Sequence, residues 1–317
     1  MDPDIVTITL NPAIDQTVFL ERFTPGTVNR ARLRTVQAGG KGVNVSAMLG
    51  SYGIPSKATG FAGKANASVF SALFRERGVE DAFLRIDGET RVGIKIVDDS
   101  TRATTDINFP GLEPTLADQA RFERKLRLLV KPGRWFVLAG SLPAGVSVDF
   151  FEELLALMKR GGAKVAVDTS GEALRVAIEG GVDIVKPNEH ELAEILGHEL
   201  PDFPSRVAAA IELQKTKVPH VILSLGSEGA LFITPEQSLM AAAPPVKVVS
   251  TVGAGDSLLA GYLAGLVTGL KPADRARLAT VFAWCALEDV RRVLPSAAEV
   301  RKRMPRITVQ SLSKMNA

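Results

Sequence analysis

Hydrophobic positions recur along this chain with two periods, and the changes between them mark out its elements. Residues 5–10 alternate, with Val6, Ile8 and Leu10 on one face, and Asn11-Pro12 ends the run. Residues 17–20 and 32–37 read as short strands around the turn Pro25-Gly26. After Gly39-Gly40-Lys41-Gly42 the period lengthens. Val45, Met48, Leu49 and Tyr52 fall at i, i+3, i+4 and i+7, an amphipathic helix that Gly53 stops. A strand at 58–62 and a helix at 67–77, closed by Gly78, come next. Val92, Ile94 and Ile96 then alternate, residues 98–101 turn, and 103–109 return as the second arm of an antiparallel hairpin with one wet face.

Beyond the hairpin, strand and helix alternate. Strands at 135–139, 164–168 and 183–186 precede helices at 148–160, 172–179 and 189–196, and a helix at 205–215 leads into a strand at 221–225. Apolar strands interleaved with amphipathic helices imply an α/β fold with a largely parallel sheet covered on both faces. The β segments of the first third break this rhythm, so they are expected to form a small separate sheet, a lid or platform.

Composition narrows the function classes. The 317 residues are 46% apolar, enough for one large α/β domain with a smaller appendage. The net charge of +3 comes without a basic tract or interleaved aromatics, which speaks against nucleic acid as a partner. A lone cysteine, Cys285, excludes an intrachain disulfide and reads as a small buried hydrophobe. His190, His198 and His220 have neither cysteine partners nor ligand spacing, so no histidine metal site is expected. No apolar run reaches the about 18 residues of a membrane span. Residues 1–10 read as a strand rather than a signal peptide, and a cytoplasmic location is expected.

Four segments could carry chemistry. The first is Ser250-Thr251-Val252-Gly253-Ala254-Gly255-Asp256-Ser257, ahead of a Leu/Ala/Gly-rich helix. Glycines and a helix N-terminus offer unpartnered amides to an anion. A carboxylate beside an anion site makes sense where it takes a proton from a hydroxyl while the amides hold a moving phosphoryl group. Taken alone, Asp256 reads first as an N-cap. The second is Gly39-Gly40-Lys41-Gly42-Val43-Asn44, neither a Walker A loop nor a dinucleotide fingerprint; alone it is a turn. In the third, Lys186-Pro187-Asn188-Glu189-His190-Glu191, Asn188 and Glu191 share one face of a first turn and suit Mg²⁺ through water, or simply complement the helix dipole. The fourth, Ser224-Leu225-Gly226-Ser227-Glu228-Gly229, ends an apolar strand, where α/β sheets bind ligands or where a hairpin turns.

In this order, with the N-terminal Asn11-Pro12-Ala13-Ile14-Asp15, the segments resemble the ribokinase family and within it the phosphofructokinase-B branch. The resemblance runs from about residue 6 to 300. It is strengthened by Thr105-Asp106-Ile107-Asn108-Phe109 and Gly140-Ser141-Leu142-Pro143, which point to the group acting on fructose 1-phosphate. It implies a ribokinase-like core from residues 1–13, 39–89 and 109–317 and a discontinuous β lid from 14–38 and 90–108. It implies a kinase that uses ATP and Mg²⁺ to phosphorylate a ketohexose phosphate, with tagatose 6-phosphate and fructose 6-phosphate as alternatives and a non-catalytic sugar-phosphate sensor as a distant one. Such lids often pair between subunits, so a homodimer through the lid is expected.

The residue roles that the resemblance implies are these. Asp256 is the base, and Gly253, Ala254 and Gly255 the anion hole. Lys186, Ser224, Gly226, Gly229 and Thr251 hold the nucleotide; Asn188 and Glu191 organise the metal. Asp15, Gly39, Gly40, Asn44 and Ser141 meet the sugar, and Lys41, Arg30 and Arg91 its existing phosphate. Many relatives begin the last motif with Asp-Thr where this chain has Ser250-Thr251, which leaves the family's monovalent-cation site open.

Overall fold

The structure, a computed structural model, describes residues 4–101, 103–289 and 293–312. The outer ends of the segments 1–13 and 109–317 and the first residues of the expected 1–10 strand lie outside them. Along the chain come β1 (Ile5–Thr9), β2 (Ala13–Leu20), β3 (Leu33–Gly39), α1 (Lys41–Ser51), β4 (Ser56–Gly63) and α2 (Ser68–Arg77). The short β5 (Glu80–Asp81) and β6 (Leu84–Ile86) precede the hairpin β7 (Val92–Asp98) and β8 (Thr104–Asn108). The alternating stretch holds α3 (Leu116–Leu129), β9 (Trp135–Ala139), α4 (Val148–Arg160), β10 (Lys164–Asp168), α5 (Gly171–Glu179), β11 (Ile184–Val185), α6 (Glu189–Leu196), α7 (Phe203–Thr216) and β12 (His220–Ser224). It closes with β13 (Ala230–Ile233), β14 (Ser238–Ala242), α8 (Ala254–Val267), α9 (Pro272–Glu288), α10 (Ala297–Arg303) and β15 (Thr308–Ser311).

Two sheets result. The main one runs β15-β14-β13-β12-β11-β10-β9-β1-β4-β5, with β6 also on β4. It is parallel from β12 to β5 and turns antiparallel at β13, β14 and β15; the β12–β13 hairpin is one of the two readings of the turn at 224–229, while β14 and β15 are not foreshadowed by helix-strand alternation. Alternation along each strand feeds two cores. Val6 and Ile8 of β1 and Phe136 and Leu138 of β9 pack with Phe122, Leu154 and Leu174 of α3, α4 and α5. Ile5, Trp135 and Val137 point the other way, to Met48, Leu258 and Phe282 of α1, α8 and α9.

The small sheet has the order β3-β2-β7-β8. Its β2 pairs antiparallel with β3 and parallel with β7. Period two divides its faces. Asp15, Thr17, Gln37, Lys95 and Thr104 line a narrow gap against Val249, Ser250 and Val252, so that face looks onto the loop that enters α8. Register places Val36, Gln16, Ile94 and Ile107 in one row on the opposite face.

Candidate active site

The carboxyl ends of the parallel strands gather the chemistry. Asn11 lies just beyond β1, Ser141 beyond β9, Asp168 at the end of β10, Lys186 after β11 and Ser224 at the end of β12. β1 has β9 on one side and β4 on the other, so the strand order reverses about it, and open α/β sheets take ligands beside such a reversal.

Helix α8 starts above these strand ends. Gly253, its N-cap, has φ +80°, a conformation that costs a glycine little. Ala254 N donates to Thr251 O, but the amides of Gly255 and Asp256 have no partner among the described residues and remain open to an anion. Asp256 sits in this first turn, buried, and its Oδ2 accepts a 2.6 Å hydrogen bond from Asn44 Nδ2 of α1. Two segments 212 residues apart in sequence therefore meet at one carboxylate.

Below it lies Asp168, the residue that sequence reasoning missed. Only 1% of it is exposed, and it faces two ammonium groups: Lys41 Nζ at 2.8 Å from Oδ1 and Lys186 Nζ at 3.2 Å from Oδ2. Burial alone would push its pKa up; the charges of Lys186 and Lys41 outweigh that and hold it below the ordinary carboxylate range. Asp256 goes the other way. Burial and the charge of Asp168 raise its pKa, against the opposing hydrogen bond of Asn44 and the charges of Lys186 and Lys41. Burial disfavours the Lys41 ammonium, yet Asp168, with smaller contributions from Asp256 and Glu191, raises its pKa overall. The two carboxylates thus have unequal proton affinities: Asp168 is the fixed anion and Asp256 the stronger base. Lys186 also reaches the anion site, since a Cβ on Gly255 would stand 3.1 Å from its Nζ.

The other expected residues fall into separate groups. Asp15 packs between Gly39 of β3 and Gly93 of β7: a Cβ on Gly39 would lie 2.7 Å from Asp15 Oδ2, and one on Gly93 3.2 Å from Oδ1. Gly40, at φ +116°, crosses Pro12 so closely that a Cβ would be 3.1 Å from its Cα. Arg91 and Ser141 form a second group, joined through Asn11, which accepts from Arg91 Nε and donates to Ser141 Oγ, each at 3.1 Å. Asn188 and Glu191 form a capping box at the start of α6, each side chain bonded to the other's backbone N–H at 2.8 Å. That box takes one oxygen from each side chain and, among the described residues, leaves the second carboxylate oxygen of Glu191 without a hydrogen bond, open to water or a metal. Glu191 is near enough to Lys41 for its charge to act there.

Ser224, Gly226 and Gly229 shape the β12–β13 hairpin. Leu225 N bonds Gly229 O, Gly226 and Gly229 have φ of +55° and +111°, and a Cβ on Gly229 would meet Ala241 O at 2.2 Å. Thr251 is exposed in the loop before α8. The expected cationic trio does not form one cluster. Lys41 bonds Asp168, Arg91 bonds Asn11, and Arg30 is exposed on the β2–β3 loop without a hydrogen bond or ion pair among the described residues. Asp168 ends an apolar strand next to a helix, and that position was its available signal.

A buried carboxylate beside open amides, above a paired anion and two lysines, suits phosphoryl transfer to a hydroxyl, and the fold and site together define a phosphotransferase. The chain belongs to the pfkB family of carbohydrate kinases, whose profile matches residues 8–294. It is 43% identical over 302 residues to a 1-phosphofructokinase of Xanthomonas campestris pv. campestris, covering 93% of this chain and 95% of that protein. It is 40% identical over 309 residues to the 1-phosphofructokinase of Rhodobacter capsulatus, covering 97% and 98%. Its fold superposes on Escherichia coli phosphofructokinase-2, solved in complex with fructose-6-phosphate, with a TM-score of 0.88 at 27% identity over 96% of this chain and 99% of that one.

Proposed function

We propose that this kinase transfers the γ-phosphoryl group of ATP to fructose 1-phosphate, yielding fructose 1,6-bisphosphate. The observation that carries the chemistry is the Asp256–Asn44 pair under the open amides of α8. The substrate rests on the two relatives above, both 1-phosphofructokinases. Asp256 accepts the proton of the acceptor hydroxyl as the new O–P bond forms. Asn44 orients its carboxylate, and the raised pKa makes that carboxylate a stronger base once ionised. The first-turn amides of α8, with Gly253, Ala254 and Gly255 around them, cradle the oxygens of the transferred group, and Lys186 supplies charge beside them. Asp15, Gly39, Gly40, Asn44 and Ser141 hold the sugar. Arg91 grips its existing phosphate, while Lys41 stays with Asp168 and Arg30 lies apart on the β2–β3 loop. Ser224, Gly226, Gly229 and Thr251 border the nucleotide.

Mg²⁺ fits as a ligand carried in by the nucleotide. Among the described residues no three His, Cys, Asp or Glu side chains converge to hold a metal, whereas the free oxygen of Glu191 beside Asn188 suits a water-mediated contact to a phosphate-bound ion. When bound, the ion neutralises charge on the donor phosphates. The small sheet serves as a lid whose inner face excludes water that would compete with the sugar hydroxyl. Its outer face leaves Val36 and Ile107 about two-fifths exposed beside Ile94, which supports pairing with the same face of a second copy. Ile107→Lys would then shift a dimer to monomer in sedimentation, and an unchanged mass would end that reading. A cytoplasmic location suits such an enzyme.

The deciding test is kcat/KM with MgATP for fructose 1-phosphate, fructose 6-phosphate and tagatose 6-phosphate measured in parallel. A preference for fructose 1-phosphate is expected. Preference for a 6-phosphate would reverse the sugar in the same site, and no turnover on any of them would refute the assignment.

A further inference from the structure

Asn11 is placed by the structure at the centre of a contact that no role above uses. It follows β1, and both ends of its amide are engaged: Oδ1 accepts from Arg91 Nε and Nδ2 donates to Ser141 Oγ. The three residues come from segments as far as 130 positions apart in sequence. We propose that Asn11 is the positioning residue for recognition of the substrate's own phosphate, fixing the plane of the Arg91 guanidinium and the orientation of Ser141 so that both face one ligand. This rests on the reading of Arg91 as the phosphate clamp.

The argument is one of donors and planes. A guanidinium carries five N–H groups in one plane. With Nε held by Asn11, the two Nη groups, unpartnered among the described residues, form the edge that meets two phosphate oxygens side by side. An arginine held in advance also loses less rotamer freedom when the ligand arrives. Ser141 Oγ accepts the Asn11 N–H, which turns its own O–H outward as a donor. A side-chain amide can accept from arginine and donate to serine at once. An ionised carboxylate of the same shape would accept only, and would pair with Arg91 as a competing anion.

Gly111 provides the seat. A Cβ there would stand 2.5 Å from Asn11 Oδ1 and 3.5 Å from Arg91 Cδ. Its backbone lies outside the left-handed region, so what its missing side chain provides is room for the Asn11 amide. Gly111→Ala therefore displaces the amide without removing any group of Arg91 or Ser141.

The test is steady-state kinetics on Asn11→Ala, Asn11→Asp, Gly111→Ala, Arg91→Ala and the Asn11→Ala/Arg91→Ala double variant, with thermal unfolding to verify folding. Asn11→Ala should raise KM for fructose 1-phosphate about tenfold, the scale of one lost charge-assisted contact, with kcat and KM for ATP within about twofold. Gly111→Ala should repeat that split. Asn11→Asp should raise KM for the phosphorylated sugar more than Asn11→Ala does, because its charge competes with the phosphate for Arg91, a difference that a merely structural tether would not produce. The double variant should be no worse than Arg91→Ala alone. If Arg91→Ala raises KM for the sugar phosphate and neither Asn11 variant does, the positioning role is wrong and the clamp stands. If Arg91→Ala leaves that KM unchanged, the clamp reading falls and takes this inference with it. Additive losses in the double variant, or equal rises in KM for fructose 1-phosphate and for ATP, would overturn the coupling.

Discussion

Asp256→Asn is expected to move activity and stability in opposite directions. The substitution keeps side-chain shape, and the new amide oxygen can still accept the hydrogen bond that Asn44 Nδ2 gives at 2.6 Å. What it removes is the capacity to take a proton. A positioned general base contributes at least about 100-fold, so kcat should fall by that factor or more, equivalent to about 2.7 kcal/mol in the barrier. Stability responds to the other side of the same design. Burial and the charge of Asp168 raise the Asp256 pKa even after Asn44, Lys186 and Lys41 have been counted against them. Ionised Asp256 therefore burdens the folded state. A carboxyl whose folded pKa is raised costs no stability below its unfolded value of about 3.9, and costs increasingly as pH rises through its folded pKa. The variant escapes this cost. Urea denaturation of both proteins should give matching stabilities near pH 4 and a more stable variant at pH 8. A coupled ADP-release assay at saturating MgATP and fructose 1-phosphate reads kcat on the same samples. Turnover within a few-fold of wild type would remove Asp256 as the base. A variant less stable at pH 8 would refute the argument from burial.

Other consequences are more local. Asp168→Asn leaves the buried Lys186 and the half-buried Lys41 without their counter-charge, and the buried Lys186 pair sets the scale, so a loss of about 3 kcal/mol is expected; an unfolding midpoint in denaturant equal to wild type would show that the pairs contribute nothing. Gly39→Ala puts a methyl group 2.7 Å from Asp15 Oδ2, so KM for the sugar phosphate should rise with little change in KM for ATP, and an equal effect on both substrates would contradict the placement of Asp15. Cys285 is 3% exposed and burial pushes its thiol up to about 11. The native protein should accordingly resist a thiol reagent at pH 8 and react once denatured, and prompt labelling of native protein would contradict this.

The fold was largely legible because the sheet's register is written in period two and the helices in i, i+3, i+4 spacing. Ile5 and Val6 go to opposite cores as alternation requires, and Gly78 ends α2 in the left-handed conformation that a glycine stop implies. The antiparallel edge was hidden because β14 and β15 are short and mostly half-buried, and their pairing joins segments about 70 residues apart. The site divides along the same line. Gly253, Gly255 and Asp256 are local, since a helix start carries its amides and its carboxylate within one turn, so their grouping can be read from sequence alone. Asp168 and Asn11 acquire meaning only from contacts 127 and 130 residues distant. A parallel sheet brings such residues together because every strand delivers its carboxyl end to the same edge, but periodicity does not say which strand lies next to which. The order β10-β9-β1 sets Asp168, Ser141 and Asn11 on adjacent strand ends. Polar residues at the last position of an apolar strand, or just after it, are therefore the ones to weigh first in a chain of this class. By that rule Asp168 ranks beside Lys186, while Arg30, on the loop between two strands of the small sheet, ranks below both.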